Sequence, residues 1–228
     1  MHKNATILAI LIVILMSWIC AASGGEYTSI LSDGSINPAS LAKLMANGQL
    51  LIVKETNGKF KYITSAIIIN KPVEEVYKVI TDYANYYKFM PSCEEAKVVK
   101  EQDNVKDIFF HIRFTFAKIL SWNARYTLHT EHFPNKGTRW TLLKDDPTIK
   151  NDISDTWGAW ELFGLSDGST AAFYTVYSDI KSLNWAVKVA LSQDPSLEVA
   201  LNASTCTMVL KAVKKRCEVP DYEPNLKK

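Results

Sequence analysis

Between Cys93 and Ile180 apolar residues recur at every second position, and this alternation constrains the fold more than any other feature of the chain. In "VKDIFFHIRFTFA", Ile108, Phe110, Ile112, Phe114 and Phe116 alternate with Phe109, His111, Arg113 and Thr115. In "SWNARYTLHTEH", Trp122, Ala124, Tyr126 and Leu128 alternate with Asn123, Arg125, Thr127 and His129. Trp140 and Leu142 continue the scheme in "TRWTLL", as do Trp160 and Leu162 in "WELF". Successive side chains on a strand point to opposite faces, so the pattern predicts an antiparallel sheet with one covered and one wet face. Turn residues at Asp103-Asn104, Asn135-Lys136-Gly137 and Asp167-Gly168 predict successive hairpins. The longest connection, "KDDPTIKNDISD", is polar and reads as an exposed loop.

Helical spacing flanks this run. "INPASLAKLMANGQ" predicts a short helix capped by Asn37, opened by Pro38 and ended by Gly48. Asn57-Gly58 lies between two β-rich runs and predicts a hairpin with strands over 49–56 and 59–69. After Pro72, the spacing of Val73, Val76, Tyr77, Ile80 and Ala84 predicts a helix that ends before Pro91. Asp194 and Pro195 open a long C-terminal helix with an apolar stripe of Leu197, Leu201, Met208, Val209 and Val213, interrupted by Ser204 and Thr205. A first helical segment, Asn184 to Ser192, precedes it. Lys214, Lys215 and Arg216 fall on the last turn of the long helix, where cations favour the dipole.

The N-terminus reads as an address. An apolar run from Ala5 follows Lys3, and Ala21, Ala22, Ser23 and Gly24 supply the small residues of a cleavage site. Residues 1–24 are expected to be a cleaved export signal, with the periplasm as destination, or else an uncleaved membrane anchor. Residues 25–58 form an N-terminal extension, 59–218 the main domain and 219–228 a tail. Beyond Cys20, the thiols of Cys93, Cys206 and Cys217 make a poor disulfide framework, being odd in number. Cys206 and Cys217 on one helix lie roughly 16 Å apart, too far to bond to each other. A net charge of +2 gives no basis for nucleic-acid binding. No sequence pattern points to a metal or a cofactor.

One helix about 10 Å wide cannot cover six or seven strands, which span roughly 30 Å. A cavity between sheet and helix follows, lined by the inward rings. "INKPVEEVYKVITDYANYYKFMP", the later "GAWELF…DGSTAAFYTVYSD" and a terminal helix ending in "VLKAVKKR" together resemble the START-like polyketide cyclase/dehydrase and lipid-transport family, of the SRPBCC superfamily, with its coenzyme-Q-binding branch. The resemblance runs from about Lys59 to Cys217 and rests on Pro72, Val76, Asp82-Tyr83 and Pro91, with Gly158, Trp160, Asp167-Gly168 and Thr170. It implies an α+β helix-grip (Bet v 1-like) fold, a curved antiparallel sheet wrapped around a long C-terminal helix. The extra N-terminal helix and strand are additions to that fold. It also implies a hydrophobic cavity that binds or transfers lipids, isoprenoids or polyketides.

The residues expected at such a site are Tyr83, Met90, Phe110, Ile112, Phe114, Trp122, Tyr126, Leu128, Trp140, Trp160 and Leu162. Among the rings before Pro91, Tyr83, Tyr87 and Met90 either cement helix to sheet or rim the cavity, with Tyr86 exposed. "FAKILSW" either extends both strands or forms a portal in transient contact with a membrane. His111 and His129 fall on the wet phase, His132 sits near a turn, and no Asp, Glu, His or Lys falls on the inward phase of the central strands. Asp82 reads as a helix-end hydrogen-bonding group. No catalytic residue is assigned. The function expected is an exported binding protein or carrier for a hydrophobic small molecule. The alternatives are a cyclase/dehydrase-type enzyme and a ligand-free interaction module.

Overall fold

The computed structural model describes residues 43, 45, 46, 48–57, 59–116, 120–180, 185–194 and 196–227. Eight strands form one antiparallel sheet: β1 (Leu50–Thr56), β2 (Lys59–Ile69), β3 (Cys93–Gln102), β4 (Val105–Phe116), β5 (Leu120–Phe133), β6 (Gly137–Leu142), β7 (Thr156–Gly164) and β8 (Thr170–Ser178). Their order is β1-β2-β8-β7-β6-β5-β4-β3, so β3 to β8 follow one another as hairpins and β2 closes against β8. Asn57, Asp103 and Asn135 hold the left-handed backbone of three of the turns, at φ 52, 52 and 58°. Short polar side chains adopt this conformation at the least cost after glycine. β1 pairs with β2 from Leu50–Ala66 to Thr56–Lys59, so the described end of the N-terminal extension continues the same sheet. The predicted signal and nearly all of the predicted 37–48 helix lie outside the described residues.

After β2, the α-helices among the described residues are α1 (Val73–Ile80), α2 (Tyr86–Phe89), α3 (Trp185–Gln193) and α4 (Ser196–Glu218). Asp194 opens α4 by accepting from the Ser196 N–H at 3.0 Å and the Ser196 hydroxyl at 2.6 Å. α4 packs on β2 and β8. The Cys206 thiol donates to the Tyr174 carbonyl at 3.1 Å, and the Lys214 ammonium to the Ile68 carbonyl at 2.7 Å and Glu218 at 2.6 Å. α1 packs on β7 and on α4, and α2 packs on β3 beside them. Cys93, Cys206 and Cys217 are all free thiols.

A single turn of 3-10 helix, Tyr83–Asn85, separates α1 from α2 and settles the ring-rich segment. A 3-10 turn has three residues per turn, so it hands the buried stripe from Ile80 to Tyr83, Tyr86 and Phe89. Continuous α-helical spacing made Tyr86 the exposed ring; instead Tyr86 is buried, its hydroxyl donating to the Ile80 carbonyl at 2.5 Å, and Tyr87 is exposed. Asp82 closes the turn, its two carboxylate oxygens accepting from Asn85 Nδ2 at 2.8 and 2.9 Å.

The outer face is not wet throughout. Ala66, Ala171 and Phe173 are buried there with Met45, and Leu50, Ile68, Phe163 and Leu165 pack around them. Both faces of β2 and β8 are therefore apolar, which explains the unbroken "AIII" run of β2.

Candidate functional site: a cavity between sheet and C-terminal helix

The concave face carries the inward residues of β4 to β8, and α4 covers only part of it. What is left between them is a cavity of about 210 Å³. That is far more than the roughly 10–15 Å³ that admits a single water. β4 contributes Ile108, Phe110, Ile112 and Phe114; β5 contributes Tyr126, Leu128 and Thr130; β6 contributes Thr138 and Trp140. Thr156 and Trp160 come from β7, Tyr174, Val176 and Ser178 from β8, and Leu201, Asn202, Thr205, Met208 and Val209 from α4. Ile80, Tyr83, Tyr86 and the Met90–Cys93 turn close the remaining side. Met208 lines the cavity and is nevertheless 48% exposed, which places the mouth beside α4.

Aromatic contacts stiffen the walls. Tyr174 sits between two indoles, 4.5 Å from Trp160 and 5.5 Å from Trp140 between ring centroids. Phe110 stacks on Tyr126 at 5.7 Å, and Tyr86 approaches Phe110 at 6.3 Å. Such pairs contribute about 0.5–1.5 kcal/mol each beyond area burial. Gly158 makes the Trp140 position possible, because any Cβ there would overlap the indole and the Thr175 carbonyl oxygen.

Burial raises the pKa of Tyr83, Tyr86, Tyr126 and Tyr174 well above the usual phenol range. Burial also pushes the Cys93 thiol up to about 12, with Glu94 adding to the shift. Every lining group among the described residues is thus uncharged at neutral pH.

Of the residues expected from sequence, Tyr83, Met90, Phe110, Ile112, Phe114, Tyr126, Leu128, Trp140 and Trp160 line the cavity. Trp122 pairs with Phe114 across β4 and β5, but its side chain lies outside the described ones. Leu162 is not at the cavity. It lies two residues from Gly164, where a Cβ would stand 3.3 Å from Val73, so α1 covers that end of β7 and Leu162 is plain core. The "FAKILSW" strands extend until Phe116 pairs with Leu120, and residues 117–119 lie outside the described ones.

Sequence reasoning missed Tyr174 and Val176, because their outward neighbour Phe173 is also buried and hides the period of two. It also placed no histidine inside. His132 shares the face of Leu128 and Thr130 and is buried, its Nε2 3.4 Å from the Tyr83 hydroxyl. Burial, reinforced by nearby Lys106, lowers the His132 pKa from 6.5 to about 4. The unfolded chain therefore binds this proton first as pH falls. Stability is complete above about pH 6.5 and is lost progressively down to about pH 4. Solvent screening keeps the loss below the full 1.36 kcal/mol per pKa unit, at about 1–2 kcal/mol. Urea titrations across that range should show the decline in the wild type and a flatter profile in His132→Gln; parallel profiles would remove His132 as its source.

A curved antiparallel sheet gripping one long helix around an uncharged cavity defines the helix-grip class. Residues 69–213 match the polyketide cyclase / dehydrase and lipid transport family. The chain belongs to that START-like family. No functionally curated protein matches it in sequence. Among solved structures, it is similar to TTHA0849 from Thermus thermophilus, at 15% identity and a TM-score of 0.56, covering 69% of this chain and 97% of that one. It is similar to a STAR-related lipid transfer protein from Xanthomonas axonopodis, at 16% identity and a TM-score of 0.55, covering 75% and 93%. It is also similar to the Zhui aromatase/cyclase from a Streptomyces species, at 15% identity and a TM-score of 0.52, covering 71% and 98%. At these identities the likeness is one of fold.

Proposed function

We propose that this protein is an exported carrier that holds a hydrophobic small molecule in the cavity without transforming it. The observation that carries this reading is the uncharged, ring-lined space of about 210 Å³ open beside α4. Apolar burial at about 25 cal/mol per Å² drives binding of such a guest. The tyrosines and Cys93 at its wall hold their protons at neutral pH, so none is poised as a general base. The lipid-transfer protein of the same fold supports the carrier reading, as the aromatase/cyclase supports the enzymatic one. Export rests on the N-terminal apolar run and its small residues. Loading and unloading would involve transient membrane contact near the mouth, where Met208 is exposed.

Purification from the native host, lipid extraction and mass spectrometry should recover one apolar molecule per chain. Trp160→Ala, checked for folding by circular dichroism, should reduce the retained molecule about tenfold, given the area an indole contributes. Met208→Glu at the mouth should lower retention with the fold intact. An empty wild-type protein, or turnover of a polyketide substrate without retained ligand, would overturn the carrier reading.

A further inference from the structure

We infer that the guest enters head first, and that its head is a single uncharged oxygen group, an alcohol or a ketone, seated against Thr130 at the closed end. The inference rests on the carrier reading and adds the chemical class of the ligand. Thr130 lines the cavity, is 2% exposed, and its hydroxyl has no hydrogen-bond partner among the described residues. Leaving a buried hydroxyl unpaired costs about 1–3 kcal/mol, which a ligand oxygen in contact would relieve. A hydroxyl or carbonyl oxygen on the ligand accepts from Thr130 without bringing any charge into the site.

The position of Thr130 fixes the direction. It shares a face of β5 with Tyr126 and Leu128 and pairs in register with Trp140, whereas the opposite limit of the lining is Phe114, paired with Trp122. On β4 the lining runs over six residues, from Ile108 to Phe114, roughly 20 Å along a strand. The space is long and suits one extended skeleton with its polar end at Thr130 and its tail toward the mouth.

The surroundings reject a charged head. Two residues beyond Thr130 on the same face of β5 is His132, its Nε2 3.4 Å from the hydroxyl of the lining residue Tyr83, and the His132 ring is neutral at physiological pH. Lys106 of β4 is near His132 but lies outside the lining, ion-paired to Glu101 of β3 at 2.9 Å. No Lys, Arg, Asp or Glu among the described residues lines the cavity. A carboxylate there would be buried without a counter-charge, and it would take up a proton instead.

Three probes of equal chain length separate the possibilities: decan-1-ol, decanoic acid and decane, followed by the change in tryptophan fluorescence to which the cavity indoles Trp140 and Trp160 contribute. At about pH 7.5 only roughly one free carboxylic acid in a thousand is neutral. Decanoic acid should therefore bind a hundredfold or more weakly than decanol, and gain about tenfold for each unit that pH is lowered toward about 5.5. Decanol should show no such gain, because His132 stays neutral over this range. Thr130→Val keeps the side-chain shape and should weaken decanol about three- to tenfold while leaving decane unchanged. Equal affinity for acid and alcohol at about pH 7.5 would overturn the buried neutral head and leave the carrier reading standing. Decanol binding indifferent to Thr130→Val would remove Thr130 as the anchor. Failure of all three probes to bind would remove the carrier reading and this inference with it.

Discussion

Gly158→Val is expected to lower the melting temperature by roughly 10 °C and to abolish ligand retention. A side chain at residue 158 has nowhere to go: its Cβ would overlap both the Trp140 ring and the Thr175 carbonyl oxygen. The indole could tilt away, but only into the cavity. The carbonyl belongs to β8, which runs antiparallel to β7, and it cannot retreat without bending the sheet. Overpacking of this kind costs about 1–3 kcal/mol and occasionally more. In a domain of this size each kcal/mol lowers the melting temperature by about 2–4 °C. Gly164→Ala is the matched control, because its Cβ would meet only a Val73 methyl at 3.3 Å. It should stay within about 0.5 kcal/mol of wild type. If Gly158→Val melts with Gly164→Ala, the indole does not lie where the cavity requires it.

The same pair of positions shows what the sequence could and could not convey. Alternation in β4 and β5 exposed the inward phase directly, because His111, Arg113, Asn123 and Arg125 mark the outer face against Phe110, Ile112, Ala124 and Tyr126. That contrast vanishes in β8, where Phe173 packs on Met45 outside while Tyr174 faces the cavity inside. Leu162 and Trp160 are equivalent in period, and only the α1 cover over one end of β7 separates core from cavity. Such a distinction depends on contacts between elements distant in sequence, which no local pattern encodes. Thr130 and Thr138 are illegible as cavity residues for a related reason. They continue the inward phase of β5 and β6, but a hydroxyl residue reads equally well on a wet face, so the alternation of apolar residues does not mark them. Their neighbour His132 sits close to the 135–137 turn, where strand phase is least legible from sequence.

Phe89→Ala is expected to destabilise the protein by about 3–5 kcal/mol, whereas Tyr87→Ala two residues earlier should change it by less than about 1 kcal/mol. Continuous helical spacing would rank these rings differently; the 3-10 turn at Tyr83–Asn85 resets them to a step of three. Phe89 is 1% exposed, with the Tyr86 ring edge-on at 5.6 Å and the Arg216 guanidinium of α4 over its face at 5.5 Å. Tyr87 is 41% exposed. The tail secures the same corner, since Asn225 Nδ2 donates to the Met90 carbonyl at 2.9 Å and the Tyr87 carbonyl at 3.0 Å. Truncating Phe89 thus opens a void where α2, α4 and the tail converge, beside the Met90–Cys93 wall of the cavity. Denaturant midpoints for the two variants measure the difference. The cavity wall would then be as stable as this one ring makes it, and equal midpoints would show that the step of three does not organise the corner.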